Sequence, residues 1–276
     1  MTVPEILANH ALGSNPPTAD IHQSTHGSDW LWAVFAIMLL SDLMAVFWSI
    51  RRPRNFLFHQ LAVVILTTSS IAYFSMASNL GHTPIVVEWD RSHGSGILTR
   101  DVWYVRYIQW FINAPLLLLI MFLGTGFPLM DGFLPLFFAD AAVVLGLVGA
   151  LVHSTYKWGY FTMGVFSLFY VWYVPHVPIF HLIFDTGREA FPTRTGRTRG
   201  GFLGSAFVLT FLWLLYPLVW ALDDGSDTIG PTGEVVWYGI LDLLTGPVFL
   251  SFLWWSHREV DLAGTTTATQ RQDVKA

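Results

Sequence analysis

The sequence predicts an all-α integral membrane protein, a bundle of seven transmembrane helices. Three observations predict it. Of the 276 residues, 53% are hydrophobic and only 12% are charged, where a soluble domain carries about 25% charge. Apolar runs of near-membrane length recur along the chain. The connections between most of them are short, which favours antiparallel neighbours in one bundle.

Seven apolar segments can be marked, at residues 30–50, 56–80, 102–123, 133–152, 160–184, 201–222 and 235–255. Each is long enough to cross about 30 Å of hydrocarbon as a helix. Residues 1–29 hold no Lys or Arg and are rich in Pro, Ser, His and Thr. They do not read as a signal peptide and are expected to form a disordered extracellular tail. Residues 30–257 form the membrane domain, and residues 258–276, ending in GTTTATQRQDVKA, are expected to be a disordered cytosolic tail. No internal repeat or second domain is evident.

Loop charges set the orientation. Arg51, Arg52, Arg54, Arg188, Arg194, Arg197, Arg199, Arg258, Arg271 and Lys275 fall on one side, and Arg91, Arg100 and Lys157 on the other. Ten against three places the N-terminus outside and the C-terminus in the cytosol. The second loop, 81–101, is the longest. Its runs PIVVEW and GILTRDVW flank RSHGSG, the pattern of a short β-hairpin.

The stretch WYVRYIQWFINAPLLLL, 103–119, puts Arg106 inside an apolar segment. A cation at membrane depth faces the bundle interior with a partner, or else snorkels to the interface. Asp242, in the seventh segment, lies at a depth that agrees with an Arg106–Asp242 pair. Tyr73, Trp110, Trp213, Tyr216 and Trp220 could close around it, since Trp110 follows Arg106 by four residues and the last three recur at helical spacing. Such a stripe is also what plain packing produces. Asp42 and Asp140 are further intramembrane acids, either proton-relay groups or simply hydrogen-bonded; the latter is the expectation. His176 and His181, five residues apart, do not share a helix face, so no metal site is expected. Asp223, Asp224, Asp227 and Glu234 crowd the last outer loop and read most simply as a solvated acidic loop.

Net charge is −5 with no dense basic block, which makes nucleic acid an unsuitable partner. There is no cysteine, so disulfides and thiolate chemistry are excluded. No His-Glu-x-x-His, Gly-x-Ser-x-Gly or phosphate-binding glycine loop occurs, so an enzyme is the least supported class.

These residues resemble a known family. RYIQWFINAPLLLL resembles the third helix of microbial-type rhodopsins, WLLYPLVW the sixth and ILDLLTG the seventh; GLVGALVHSTYKWGYF, 146–161, is similar to the fungal branch. The resemblance implies that Arg106 is the central arginine and Asp242 the seventh-helix counterion, with Tyr73 and Tyr216 hydrogen-bonded to it. It implies that Trp110, Trp213 and Trp220 are walls of a retinal pocket, that Pro115 and Pro217 are the helix prolines, and that Glu234 stands where some pumps keep an outer carboxylate.

The departures from the family are specific. Where the resemblance implies a retinal-binding lysine, four residues after the aspartate, stands Gly246. The proton acceptor's position holds Gln109 and the donor's holds Ile120. The chain's two lysines are Lys157 and Lys275. Covalent attachment needs an amine, and pumping needs carboxylates whose proton affinities cross. One cation and one anion are lost together, which leaves Arg106 against Asp242 and the site neutral. Gly246-Pro247 should also loosen the seventh helix. The pattern resembles fungal opsin-related proteins of the membrane heat-shock type. That resemblance implies a stress-linked or regulatory role without covalent retinal or light-driven pumping. The alternatives are non-covalent binding of retinal or another apolar ligand in a photoreceptor, a passive ion or proton pathway through Asp42, Asp140, Gln109 and Asp242, and a homo-oligomer or partner of other proteins in the lipid bilayer.

Overall fold

The computed structural model describes residues 9–51, 56–88, 98–125, 130, 132–173 and 196–257. A short helix α1 (Ala11–Ser14) precedes six long helices: α2 (Thr25–Arg51), α3 (Phe56–Ala77), α4 (Tyr104–Thr125), α5 (Phe133–Ala150), α6 (Lys157–Tyr173) and α7 (Gly196–Trp220). The last membrane segment is α8 (Pro231–Leu243) continued by α9 (Phe249–His257). Six of the spans are long and apolar enough to cross a membrane, and α6 lies among them as the seventh helix. His176, His181, Lys275 and the C-terminal tail lie outside the described residues.

The bundle is turned inside out relative to a water-soluble protein. Leu40, Ile50, Ile71, Phe166 and Phe207 are more than 60% exposed, while Arg106, Gln109, Asn113 and Asp242 are each under 5%. Apolar surface outside and polar groups inside is what hydrocarbon solvent selects.

The seventh segment is not a regular helix. Residues Leu244–Val248 are π-helical and contain Pro247. Proline has no N–H for the helix ladder, and a single wide turn absorbs the mismatch, so the loosening expected at Gly246-Pro247 is present. A second π-helical turn, Ala221–Gly225, extends α7 and carries Asp223 and Asp224.

Between α3 and α4 the chain forms the expected hairpin. Strand β1 (Thr83–Val86) pairs antiparallel with β2 (Thr99–Val102), with Thr83 opposite Val102; the intervening RSHGSG lies outside the described residues. The segment expected to be a loose tail differs from that expectation over residues 9–29. The helix α2 begins at Thr25, not Trp30. Upstream of it and in its first turn, the chain caps the end of α3. Ser28 Oγ donates to Ala77 O at 2.7 Å, Gln23 Nε2 to Met76 O at 3.1 Å, and Asn15 Nδ2 to Ser78 O at 2.7 Å. Those carbonyls belong to a helix end and need donors. The polar composition that suggests disorder is what supplies them. Ile21 then bridges Arg100 of β2, and Ser24 bonds Thr232 at the start of α8.

The helices α2 and α8 meet at Gly239. A Cβ there would lie 2.4 Å from Trp30 Nε1, an indole already held by Val235 O at 3.1 Å. Gly239→Ala is therefore expected to lower stability by about 1–3 kcal/mol through overpacking, read as a reduced thermal midpoint, with Trp30→Phe in the same chain recovering part of it.

Candidate functional site

The helices α4 and α8 both start at the hairpin end of the bundle, and side chains of their first turns, meeting across the interior, decide the charge pairing. Arg106 is the third residue of α4 and Glu234 the fourth of α8. Arg106 Nη1 reaches Glu234 Oε1 at 2.5 Å, and its guanidinium carbon lies 4.2 Å from the Tyr238 ring centroid. The expected Arg106–Asp242 ion pair is thus replaced by Arg106–Glu234. The physical reason is the start of α8. It begins at Pro231, not Val235, so Asp242 lies about 12 Å deeper along the axis than Glu234 at about 1.5 Å per residue, and Arg106's side chain leans back toward its own helix N-terminus.

Glu234 serves two arginines. Its Oε2 accepts from Arg100 Nη2 at 3.2 Å. Arg100 also pairs with Asp223, approaches Asp227 at 3.3 Å and donates to Ile229 O at 2.8 Å. Asp223, Asp224 and Glu234 are all under 10% exposed. The acidic turn is therefore not a solvated loop but one side of a buried ion network, because β2 delivers Arg100 into it. Asp224 accepts from Tyr107 OH at 2.7 Å, and its carbonyl accepts from Lys157 Nζ at 3.1 Å. Lys157 also faces Glu88 at 3.5 Å. Arg100 and Lys157, which the sequence presents only as loop charges, are central to this end of the bundle.

At the outer edge of the same region, His82 Nδ1 lies 2.7 Å from Asp101 Oδ1 and Nε2 lies 3.1 Å from Asn79 O. Burial pushes the His82 pKa down, but the hydrogen bond and charge of Asp101, with the Asn79 carbonyl, outweigh it and leave the pKa raised. A raised folded-state value means the contribution is fully present below about pH 6.5 and is lost as pH rises through the higher folded value. Thermal stability should fall over that interval, and His82→Gln should flatten the fall.

Two turns deeper than Glu234 on α8 is Asp242. Tyr73 OH donates to Oδ2 and Tyr216 OH to Oδ1, both at 2.6 Å. Gln109 Nε2 donates to Oδ2 and Trp110 Nε1 to Oδ1, both at 3.1 Å. Four donors thus satisfy a carboxylate that touches no cation within 4 Å among the described residues. Gln109 suits this role. A carboxylate at 109 would bring a second negative charge toward Asp242, whereas the amide binds it. Gln109 and Asn113 both lean on Ser69 Oγ, at 3.4 and 2.9 Å.

Beside this centre lies a cavity of about 130 Å³, between α4, α5, α6 and α7. Trp110, Trp213, Tyr216, Pro217 and Trp220 all line it, as do Arg106 and Tyr238 at one end. Trp110 and Tyr216 meet edge-on at 4.4 Å, and Trp220 stacks on Phe161 at 5.0 Å. Gly246 does not line it. A Cβ on Gly246 would sit 3.7 Å from Met38 and 3.9 Å from Leu66. Pro115 lies inside α4, and Ile120 is 3% exposed on the same helix. Asp42 accepts from Thr67 Oγ1 at 2.9 Å, as expected for a hydrogen-bonded acid. Asp140 differs: its Oδ1 has no hydrogen-bond partner among the described residues. No group of three or more His, Cys, Asp or Glu side chains suited to a metal occurs among the described residues.

The model of the bacteriorhodopsin-like protein family matches residues 25–260. Protein FDD123 of Trametes versicolor is 52% identical, over 93% of this chain and 87% of its own length. The opsin-like protein carO of Fusarium fujikuroi is 40% identical, over 92% and 83%. The 30 kDa heat shock protein of Saccharomyces cerevisiae is 32% identical, over 89% and 77%. The solved structure of the light-driven proton pump Coccomyxa subellipsoidea rhodopsin is similar with a TM-score of 0.75 and 32% identity, covering 86% of this chain and 99% of that one.

Proposed function

Because this chain belongs to the bacteriorhodopsin-like family, as an opsin-related multi-pass membrane protein, we propose that it is a member without covalent retinal and without light-driven pumping, acting as a stress-linked or regulatory protein of the plasma membrane with its N-terminus outside. The observation that carries the reading is Gly246, at the position where the family's attachment amine is expected. Lys157 offers no substitute, since it is held against Asp224 O and Glu88 at the hairpin end of the bundle. Among the described residues, retinal therefore has no amine to join in the bundle centre. Gln109 and Ile120 in the acceptor and donor positions support the absence of pumping. The stress link is supported by the name of the 30 kDa heat shock protein relative.

The test is reconstitution. Purified protein given all-trans-retinal should yield no visible band that survives denaturation, and liposomes containing it should show no light-driven pH change. Either signal would refute the reading.

A second reading is favoured by the walls of the cavity. Trp110, Trp213 and Trp220 would hold retinal or another apolar ligand non-covalently, with no change to the charge of the bundle. A saturable absorption shift that washes out on denaturation would support it.

A further inference from the structure

We infer that His82 is a proton-operated latch: its charged ring pins the N-terminal segment, residues 9–24, onto the hairpin end of the bundle, and loss of the proton as pH rises lets that segment lift. The latch is independent of whether any ligand occupies the bundle, so its failure would leave the proposed function standing.

The ring's own contacts require the proton. Nδ1 lies 2.7 Å from Asp101 Oδ1, and Nε2 lies 3.1 Å from Asn79 O. A carboxylate and a carbonyl only accept hydrogen bonds, and only the imidazolium donates from both nitrogens. A neutral ring satisfies one oxygen and turns a lone pair on the other. It keeps the carboxylate, the stronger acceptor, and gives up Asn79. Little water is at hand to make up the loss, since the side chains of His82 and Asp101 are 7% and 0% exposed. The Trp103 ring, centred 4.8 Å from the imidazole, also favours the cation.

The two residues that the ring holds are the two on which the segment is docked. The Asn79 side chain accepts from Gln23 Nε2 at 3.1 Å and donates to Asn15 O at 2.9 Å. The Asp101 N–H donates to Ile21 O at 3.2 Å. Neighbouring strand residues face opposite ways, so while Asp101 meets His82, Arg100 is turned to Asp223, Asp227 and Glu234. Release at His82 therefore leaves the ion network, and the bundle, in place. Among the described residues, α3 brings no charge to the ring, α4 brings only the Trp103 indole, and the segment brings Asp20. Asp20 Oδ2 accepts from Thr99 N and Oγ1 at 2.9 and 2.8 Å, bonds that hold its pKa below the usual value. That tie is present at neutral pH and is lost only as pH falls through the lowered value. The His82 tie, with its raised pKa, is lost in the opposite direction, so the segment opens on the alkaline side through His82 alone.

The test is hydrogen exchange read by mass spectrometry on full-length protein in lipid nanodiscs, corrected for the intrinsic pH dependence of exchange. Relative to α5, residues 9–24 should exchange about fivefold faster at about pH 9 than at about pH 6, the weight of one ordinary hydrogen bond. His82→Gln, which takes up no proton, should abolish the difference. His22→Gln should preserve it, because the His22 ring meets the carbonyl of Ala19 within the segment itself. Histidine NMR gives a reading without substitution: the His82 ring should lose its proton at the midpoint of the exchange change, and this decides the matter if His82→Gln does not fold. The inference is overturned by a wild-type segment equally protected at both pH values, by a folded His82→Gln that keeps the difference, by a folded His22→Gln that loses it, or by a His82 ring already neutral at the lower pH.

Discussion

Replacing Glu234 by alanine is expected to destabilise the protein by about 3–5 kcal/mol, the cost of leaving buried charge without its partner. Glu234 is 1% exposed and faces Arg106 through one oxygen and Arg100 through the other. Arg100 keeps Asp223 and Asp227. Among the described residues Arg106 keeps only the Tyr238 ring and a long contact to Met76 Sδ, so the loss falls mainly on Arg106. Thermal unfolding in detergent checks this. The double variant Glu234→Ala with Arg106→Met should be more stable than Glu234→Ala alone, because the stranded cation is gone. If Glu234→Ala unfolds at the wild-type temperature, the network is not holding the bundle. Asp242→Ala makes the useful comparison, since it strands four neutral donors rather than a guanidinium.

The second large effect is gain of colour. Gly246→Lys together with Gln109→Asp should give a visible pigment with retinal. Gln109→Asp alone should be destabilising, because it removes the amide that donates to Asp242 at 3.1 Å and brings a second carboxylate toward Asp242, and nearby like charges repel. Gly246→Lys supplies the compensating cation, so the two changes should be non-additive in thermal stability, with a favourable coupling of about 1–3 kcal/mol. The stem of the introduced lysine must pass Met38 and Leu66, which lie 3.7 and 3.9 Å from the first carbon of any side chain there. Adding Met38→Ala should therefore increase pigment yield. A folded, colourless triple variant would show that the walls contributed by Trp110 and Trp213 do not suffice to hold the polyene.

Most of the architecture is legible in the sequence because membrane length and apolarity are written there directly, and the hairpin because β-prone runs flank a glycine-rich turn. The partners of charged groups are less legible. Depth matches Arg106 to Asp242 only if α8 starts late. Proline at the first helical position after Gly230 is the available signal for a start at Pro231. The acidic turn looks solvated because Arg100 belongs to a strand far away in sequence, and only the hairpin's docking brings it there. Tyr73 and Tyr216 are readable as neighbours of Asp242 from the family pattern, but Gln109's bond to the same carboxylate emerges only in three dimensions. Residues 9–29 mislead for a related reason: Asn15, Gln23 and Ser28 are as typical of caps as of disorder, and composition does not distinguish the two.

The strap that caps α3 also reaches Thr232, 208 residues onward from Ser24. Its first contacts, to the end of α3, can form early in synthesis, but its last waits for the final helix to be inserted. The strap is thus a seal applied at the close of biogenesis, and sensitivity of residues 9–24 to a protease should mark molecules whose bundle is still being built.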